Sequence, residues 1–319
     1  DSREAGPADL FVAIRGERVD ARRFVPTLQV AAVIADGPVV ARDGVTVIQV
    51  DNARLALARA SAALWAHPAE HLPVVGITGT NGKTTLTWML EAIVSASGAH
   101  SGVIGTTGHR IAGVSSPASH TTPEAPVLQA LLREMIEADC MAALMEVSSI
   151  GIAMHRVDAI PFRVAVFTNF SRDHLDFHSD MEDYLDTKAK LFHTLLASDG
   201  IAILNVDDPA TTQIDASPRE TRTYGLRPEA QYRGVALQPT VKGTQFQIMM
   251  PDAEVSLFLP LIGRHNVLNA LGACAAARAL GISPEDIAQG LEGLSTIPGR
   301  LEPVENAAGI AVLVAFAHT

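Results

Sequence analysis

The segment Gly76-Ile77-Thr78-Gly79-Thr80-Asn81-Gly82-Lys83-Thr84-Thr85 spaces glycines, a lysine and two threonines as a phosphate chain would require. Backbone N–H groups in such a turn, with the positive end of a following helix behind them, attract an anion. Lys83 would neutralise β and γ oxygens, and the Thr84 hydroxyl would reach a magnesium ion. The strict eight-residue form of the motif has glycine five places before Gly82; this chain has Ile77 there, and Gly79 supplies the turn instead. The spacing implies a nucleoside triphosphate. Three further residues could add chemistry. Glu146, in Met145-Glu146-Val147-Ser148-Ser149, could bind Mg²⁺, activate a nucleophile or cap the next turn. His174, in Ser171-Arg172-Asp173-His174-Leu175-Asp176, could be a magnesium ligand or a loop histidine, because Mg²⁺ prefers oxygen. Lys188 has the pattern of an ordinary lysine on a helix surface. No Ser-His-Asp set or other nucleophile motif stands out.

A loop of this kind works only if a strand and a helix hold it. Leu72 to Ile77 reads as a buried strand, and Leu86, Met89, Leu90, Ile93 and Val94 recur on one face of an amphipathic helix. Before the loop, apolar runs at Leu10 to Ile14, Val30 to Ile34 and Val45 to Val50, then a helical stretch from Asn52 to Ala66, indicate a small α/β unit. After Pro73, strands at Met141 to Met145, Val164 to Thr168 and Ile201 to Leu204 alternate with helical stripes. Such alternation implies an α/β fold with a mostly parallel sheet flanked by helices. Polar residues gather just past the strands' carboxyl ends: the glycine-rich loop, Glu146, Asn169 to His174, and Asp207-Asp208. In open α/β sheets that edge holds ligands. Gln245 to Ile248 and Val255 to Leu259 suggest antiparallel strands. Two helices follow, from Asn266 to Leu280 and from the cap Ser283-Pro284-Glu285-Asp286. The expected domains are 1–71, 72–298 and a third beginning at 299.

Composition narrows the class. The chain has 319 residues, 48% of them hydrophobic and 18% charged, with a formal charge of −11. That is globular composition, with no general attraction to nucleic acid or anionic membrane. An anionic ligand must then be held by local cations such as Lys83, Arg156, Arg172 and Arg300. The two cysteines, Cys140 and Cys274, lack metal spacing and read as buried thiols of a reducing cytoplasm. No run approaches the roughly 18 apolar residues of a membrane span. Both ends look cut: an apolar run at Ile310 to Val314 has no partner layer in the remaining sequence.

Taken together, Gly79 to Thr85, Met145 to Ser149 and Thr168-Asn169-Phe170-Ser171-Arg172-Asp173-His174-Leu175-Asp176-Phe177-His178 resemble the Mur ligases. Within that family the likeness is to the MurE-type branch, which adds the third peptide residue of peptidoglycan. It extends to Asp1-Ser2-Arg3, Thr121-Thr122-Pro123, Gly263 to Ala270, and Pro298-Gly299-Arg300-Leu301-Glu302, and so runs through the whole chain. The resemblance implies an N-terminal UDP-substrate domain, a central ATP-binding domain and the start of a Rossmann-like third domain that carries most of the amino-acid selectivity. It implies that Gly79, Thr80, Asn81, Gly82, Lys83, Thr84 and Thr85 hold ATP phosphates, with Asn269 and Arg300 also at the nucleotide. Thr84 and Glu146 would hold one Mg²⁺. His174 would lie near a second, bound by Lys188 as a carbamate. Ser2, Glu17, Arg18, Val19, Thr121, Thr122, Ser148 and Arg156 match positions that contact the UDP-muramoyl-peptide.

The implied reaction activates the D-glutamyl carboxylate of UDP-MurNAc-dipeptide by phosphorylation from ATP. A free amino acid, meso-diaminopimelate or L-lysine with diaminopimelate favoured, then attacks the acyl phosphate. Lys83 and magnesium screen the approach of two anions. A monomeric, cytoplasmic enzyme is expected. Three positions depart from the family pattern: Ile150 in place of His, His120 in place of Asn, and Ala315 in place of an Asp that contacts the ATP ribose. Losing that aspartate would cost about 1.5–3 kcal/mol of nucleotide binding. Other outcomes of the same resemblance are a folylpolyglutamate or cyanophycin synthetase-like amide ligase, or a nucleotide-binding module without turnover.

Overall fold

The computed structural model describes residues 2–16, 19–294, 297–303 and 313–315. Short runs of β-branched and aromatic residues form three parallel strands near the N-terminus: β1 (Leu10–Ala13), β2 (Ala32–Ala35) and β3 (Thr46–Gln49). Phe11, Val25, Leu28 and Val33 pack beneath them in a small separate core. Helix α1 (Ala53–Leu64) follows, its first turn capped by Asn52, whose side chain accepts from the Leu55 N–H. The Asn52 to Ala66 expectation therefore held, less its frayed end.

The rest of the chain is organised by one large sheet. Its strands in chain order begin with β4 (Val74–Thr78), followed by α2 (Lys83–Ala96), β5 (Ser101–Gly105), β6 (Gly108–Ile111) and β7 (Val114–Ser116). Next come α3 (Ala125–Glu137), β8 (Ala142–Glu146), a short α4 (Ser149–Ala153), β9 (Phe162–Phe167), α5 (Met181–Lys190), β10 (Leu196–Asn205) and β11 (Glu220–Gly225). The sheet is completed by β12 (Tyr232–Thr240), β13 (Gly243–Met249) and β14 (Glu254–Leu259), before α6 (Arg264–Ala279) and α7 (Pro284–Glu292).

Strand order is β14-β13-β12-β11-β10-β9-β4-β8-β5-β6-β7. The pairs from β12 through β5 are parallel, and hairpins extend both edges in antiparallel sense. All five residues of β4 are buried, as a strand covered by helices on both faces must be. Its side chains alternate between two cores. Val75 and Ile77 join Leu86, Met89, Leu90, Ile93 and Val94 of α2; Val74 joins Leu128 and Leu132 of α3 with Leu185 and Phe192. The Ser283 cap formed as its sequence signals: the hydroxyl accepts from the Asp286 N–H and donates to the Asp286 carboxylate.

After β4 the chain goes to one side for β5 and β8, then crosses to the other for β9. Strand order reverses around β4, so the loops after β4, β8 and β9 converge at one carboxyl edge. Near the C-terminal end, β15 (Arg300–Pro303) pairs antiparallel with β16 (Leu313–Ala315), so Leu313 and Val314 of the apolar run have a strand partner. Both cysteines are buried, and burial pushes the Cys274 thiol up to about 12. Among the described residues no helix is long and apolar enough to cross a membrane.

Candidate functional site

The glycine-rich loop sits between β4 and α2, and the loop after β9 grips it. Thr80 N–H donates to the Asn169 carbonyl, Asn81 N–H to the Asn169 side chain, and Thr168 Oγ1 to the Asn81 carbonyl at 2.6 Å. Close approach is possible because Gly79 has φ +142°, where a Cβ would lie 1.9 Å from Thr168 Oγ1. Gly82, at φ +88°, leaves space for Asn269 Oδ1, which a Cβ would meet at 2.4 Å. Asn269 of α6 is thus brought against the loop. Lys83 Nζ donates to the Gly79 and Thr80 carbonyls at 2.8 and 2.9 Å, folded back over the turn. Burial holds its ammonium below the usual lysine range, against the pull of Glu146 and Asp173.

Glu146 ends β8 with 1% of its surface exposed. Its carboxylate accepts from Thr84 Oγ1 at 2.9 Å, from Thr106 N–H at 3.0 Å and from Thr106 Oγ1 at 3.1 Å. Gly105 makes room for it: a Cβ there would lie 2.2 Å from Glu146 Oε1. Arg300 donates to Thr84 Oγ1 at 3.3 Å. Thr84 and Glu146 present oxygen donors side by side, which fits a hard cation whose shell is completed by phosphate and water. Among the described residues no cluster of three or more His, Cys, Asp or Glu could hold a metal unaided.

Lys188 is not the surface lysine its helical pattern suggests. It is 1% exposed, donates to the Gly79 carbonyl at 3.1 Å and lies 4.3 Å above the Tyr184 ring. A period of 3.6 reports which residues share a face; here α5 turns Lys188 toward the loop together with Tyr184. Burial, with the Lys83 ammonium nearby, holds the Lys188 amine well below the usual lysine range. As an ammonium it cannot ligate a cation; as a carbamate it would supply oxygen. Burial likewise lowers His174, whose Nε2 is 3.7 Å from Asp173 Oδ2.

Behind these groups the structure joins three residues that the sequence leaves apart. His178 Nε2 lies 2.9 Å from Ser149 Oγ, and its Nδ1 lies 3.3 Å from Asp183 Oδ2. Ser149 is 1% exposed at the edge of the cavity, and this Ser-His-Asp chain braces α4 against α5.

A second wall adjoins the first. Thr122 Oγ1 donates to the Glu146 carbonyl at 3.0 Å and accepts from Ser148 N–H at 3.0 Å. Arg156 donates to the Thr122 carbonyl at 2.9 Å and pairs with Glu124 at 2.7 Å. Both walls line one cavity of about 1080 Å³. Into it open Thr80 to Thr84, Thr121, Thr122, Glu146, Ser148, Arg156, His174, Lys188 and Arg300. Its lining carries Arg54, Lys83, Arg156 and Arg300 against Glu146 and Asp173, an excess of cations in a chain of net charge −11.

Several expected residues lie elsewhere. Glu17 and Arg18 are outside the described residues; Ser2 and Val19 do not line the cavity. Arg172 is exposed and also outside the lining, and Arg54 of α1 adds a cation in its place. Asp207 and Asp208 brace the loops instead, Asp207 pairing with Arg264 and Asp208 accepting from Phe170 N–H. Ile150 and His120 both face the cavity, whereas the Ala315 side chain is outside the described ones. Thr106 and Asp173 were missed. Thr106 follows an apolar strand just as Glu146 does, so the same signal could have found it. Arg54, one of two arginines on α1, offers no such signal.

The model of the Mur ligase middle domain matches residues 77–277. The UDP-N-acetylmuramoyl-L-alanyl-D-glutamate--2,6-diaminopimelate ligase of Geobacter metallireducens is 41% identical, covering 100% of this chain and 64% of that protein. The ligase of the same name from Geobacter sulfurreducens is 40% identical over the same shares. A solved structure of a UDP-N-acetylmuramoyl-L-alanyl-D-glutamate--2,6-diaminopimelate ligase superposes with a TM-score of 0.85 at 26% identity, covering 96% of this chain and 64% of that one. The chain therefore spans a little under two thirds of the length of these relatives. With its middle-domain match covering most of the large-sheet unit, this chain belongs to the Mur ligase family.

Proposed function

We propose that this chain carries the nucleotide and acceptor sites of an ATP-dependent ligase that adds the third residue to UDP-MurNAc-L-Ala-D-Glu, through an acyl phosphate. The observation that carries this reading is a single cavity lined both by the triphosphate-type loop and by Thr121, Thr122, Ser148 and Arg156. Such a cavity can hold two anionic reactants against each other. Gly79 to Thr85 would cradle the ATP phosphates, with Asn269 and Arg300 at the nucleotide. Lys83, released from its carbonyl partners, would reach the transferred phosphoryl group. Thr84 and Glu146 would hold one Mg²⁺, and His174 and the Lys188 carbamate a second; these ions would supply charge stabilisation as the phosphoryl oxygens gain negative character. The depressed Lys188 amine supports this, since carbamate formation consumes the neutral amine.

On the other wall, Thr122, Ser148 and Arg156 would orient the acceptor so that its carboxylate meets the γ-phosphoryl group, which is a positioning effect before it is a chemical one. The incoming amino acid is proposed to be meso-diaminopimelate; the relatives' names give 2,6-diaminopimelate. The whole is proposed to act as a monomer in the cytoplasm. A coupled ADP-release assay on the protein carrying this chain tests the reading, using UDP-MurNAc-dipeptide and a panel of amino acids. Release that requires the dipeptide substrate and one diamino acid is expected. ATP binding without release under any combination would leave a nucleotide-binding module, and release stimulated by a folate would replace the substrate.

A further inference from the structure

Two arginines share Glu124 unequally. Arg156 is engaged at both amino groups, one on the Glu124 carboxylate at 2.7 Å and another on the Thr122 carbonyl at 2.9 Å. Arg54 reaches the same carboxylate only at 3.7 Å, beyond hydrogen-bond distance, and among the described residues it makes no hydrogen bond. Yet it is held in place. It lies in the first turn of α1, which packs on α3, and its side chain is 23% exposed on the cavity wall. A guanidinium fixed at its stem, half shielded and short of acceptors is a receptor for an oxyanion, which it can take with two parallel N–H groups. The contacts run from Glu146 through Thr122 and Arg156 to Glu124, so Arg54 closes the wall on which the acceptor is proposed to lie.

We infer that Arg54 is a specificity-determining residue, its guanidinium leaving Glu124 to bind an anionic group of the acceptor substrate, carboxylate or phosphate. This rests on the ligase reading. D-Glutamate has two carboxylates, and only one reacts; the other stays anionic and needs a cation. The α1 arginine supplies that cation from the N-terminal unit, so the site is complete only when that unit is docked.

The test is titration calorimetry on the protein carrying this chain, comparing wild type with Arg54→Gln and Arg54→Lys. The probes are UDP-MurNAc-dipeptide, its analogue with the unreacting carboxylate amidated, uridine diphosphate and ATP. Arg54→Gln is expected to weaken the dipeptide substrate about tenfold or more and leave ATP unchanged, with Arg54→Lys between. If the anion is the carboxylate, wild type binds the amidated analogue as weakly as Arg54→Gln does, and the variant no longer distinguishes the two. If it is the diphosphate, Arg54→Gln loses uridine diphosphate affinity by the same factor. A wild type that binds the dipeptide substrate and a variant that binds it equally would overturn the inference alone. So would equal weakening of ATP, which marks a structural role. A wild type that binds no uridine compound would instead overturn the ligase reading beneath it.

Discussion

The two walls of the cavity are built differently. The phosphate wall stands on the carboxyl ends of β4, β8 and β9, and its key groups, Glu146, Thr84 and Lys188, are nearly inaccessible and already hydrogen-bonded. The facing wall comes from the 118–124 segment, the start of α4 and α1 of the N-terminal unit; Thr122 in it is buried, whereas Thr121, Ser148 and Arg54 are partly exposed. Electrostatic catalysis needs dipoles that do not reorganise, and a buried strand edge provides them. Recognition of a large substrate needs groups that can exchange a protein partner for a ligand, as the Glu124 arginines can. The difference supports the proposal that chemistry belongs to one wall and selection to the other.

The strongest way to break this division is Lys83→Ala. It should lower turnover by about a thousandfold, while acceptor affinity measured by calorimetry stays within about threefold; a matching loss of acceptor binding would merge the two walls. Thr122→Val probes the seam. It keeps the shape but strips Ser148 N–H and Ser148 Oγ of their shared acceptor. An acceptor affinity about tenfold lower is expected, because a buried donor without a partner costs about 1–3 kcal/mol. ATP affinity should not move.

The smallest effect sharpens the account of the phosphate wall through pH. In CO₂-free buffer, the buried Lys188 ammonium destabilises the folded chain. Below its lowered folded-state pKa the cost is full. Between that value and the ordinary 10.5, the unfolded chain holds more protons, so wild-type stability rises with pH. Lys188→Met should therefore stabilise the apo chain by on the order of 1 kcal/mol at the acid end, and the gain should shrink as pH climbs. Denaturant unfolding across pH reads it; a gain that grew with pH would contradict the burial argument.

The phosphate wall was largely legible in the sequence because its parts are local. A strand, a glycine turn and a helix adjoin one another in the chain, and the face from Leu86 to Val94 announces its own burial. Glu146 was visible as a charge ending an apolar run. Lys188 was not legible from pattern, since nothing in a ten-residue helix says which neighbour covers it; the family resemblance pointed to it instead. The facing wall depends on residues distant in the chain, such as Arg54, Glu124 and Arg156, and no local period encodes that meeting. Likewise Ser149, His178 and Asp183 become a hydrogen-bonded chain only when α5 docks on α4.

Gly105 has no donor, no acceptor on its side chain and no charge, yet the acid on the adjacent strand occupies the volume that a methyl group would fill. The reactive edge is therefore shaped as much by an omission on β5 as by the carboxyl group on β8. A drift to alanine at that quiet position would evict the acid from its seat, and the proposed ion site would be lost while every residue with chemistry of its own remained in the chain.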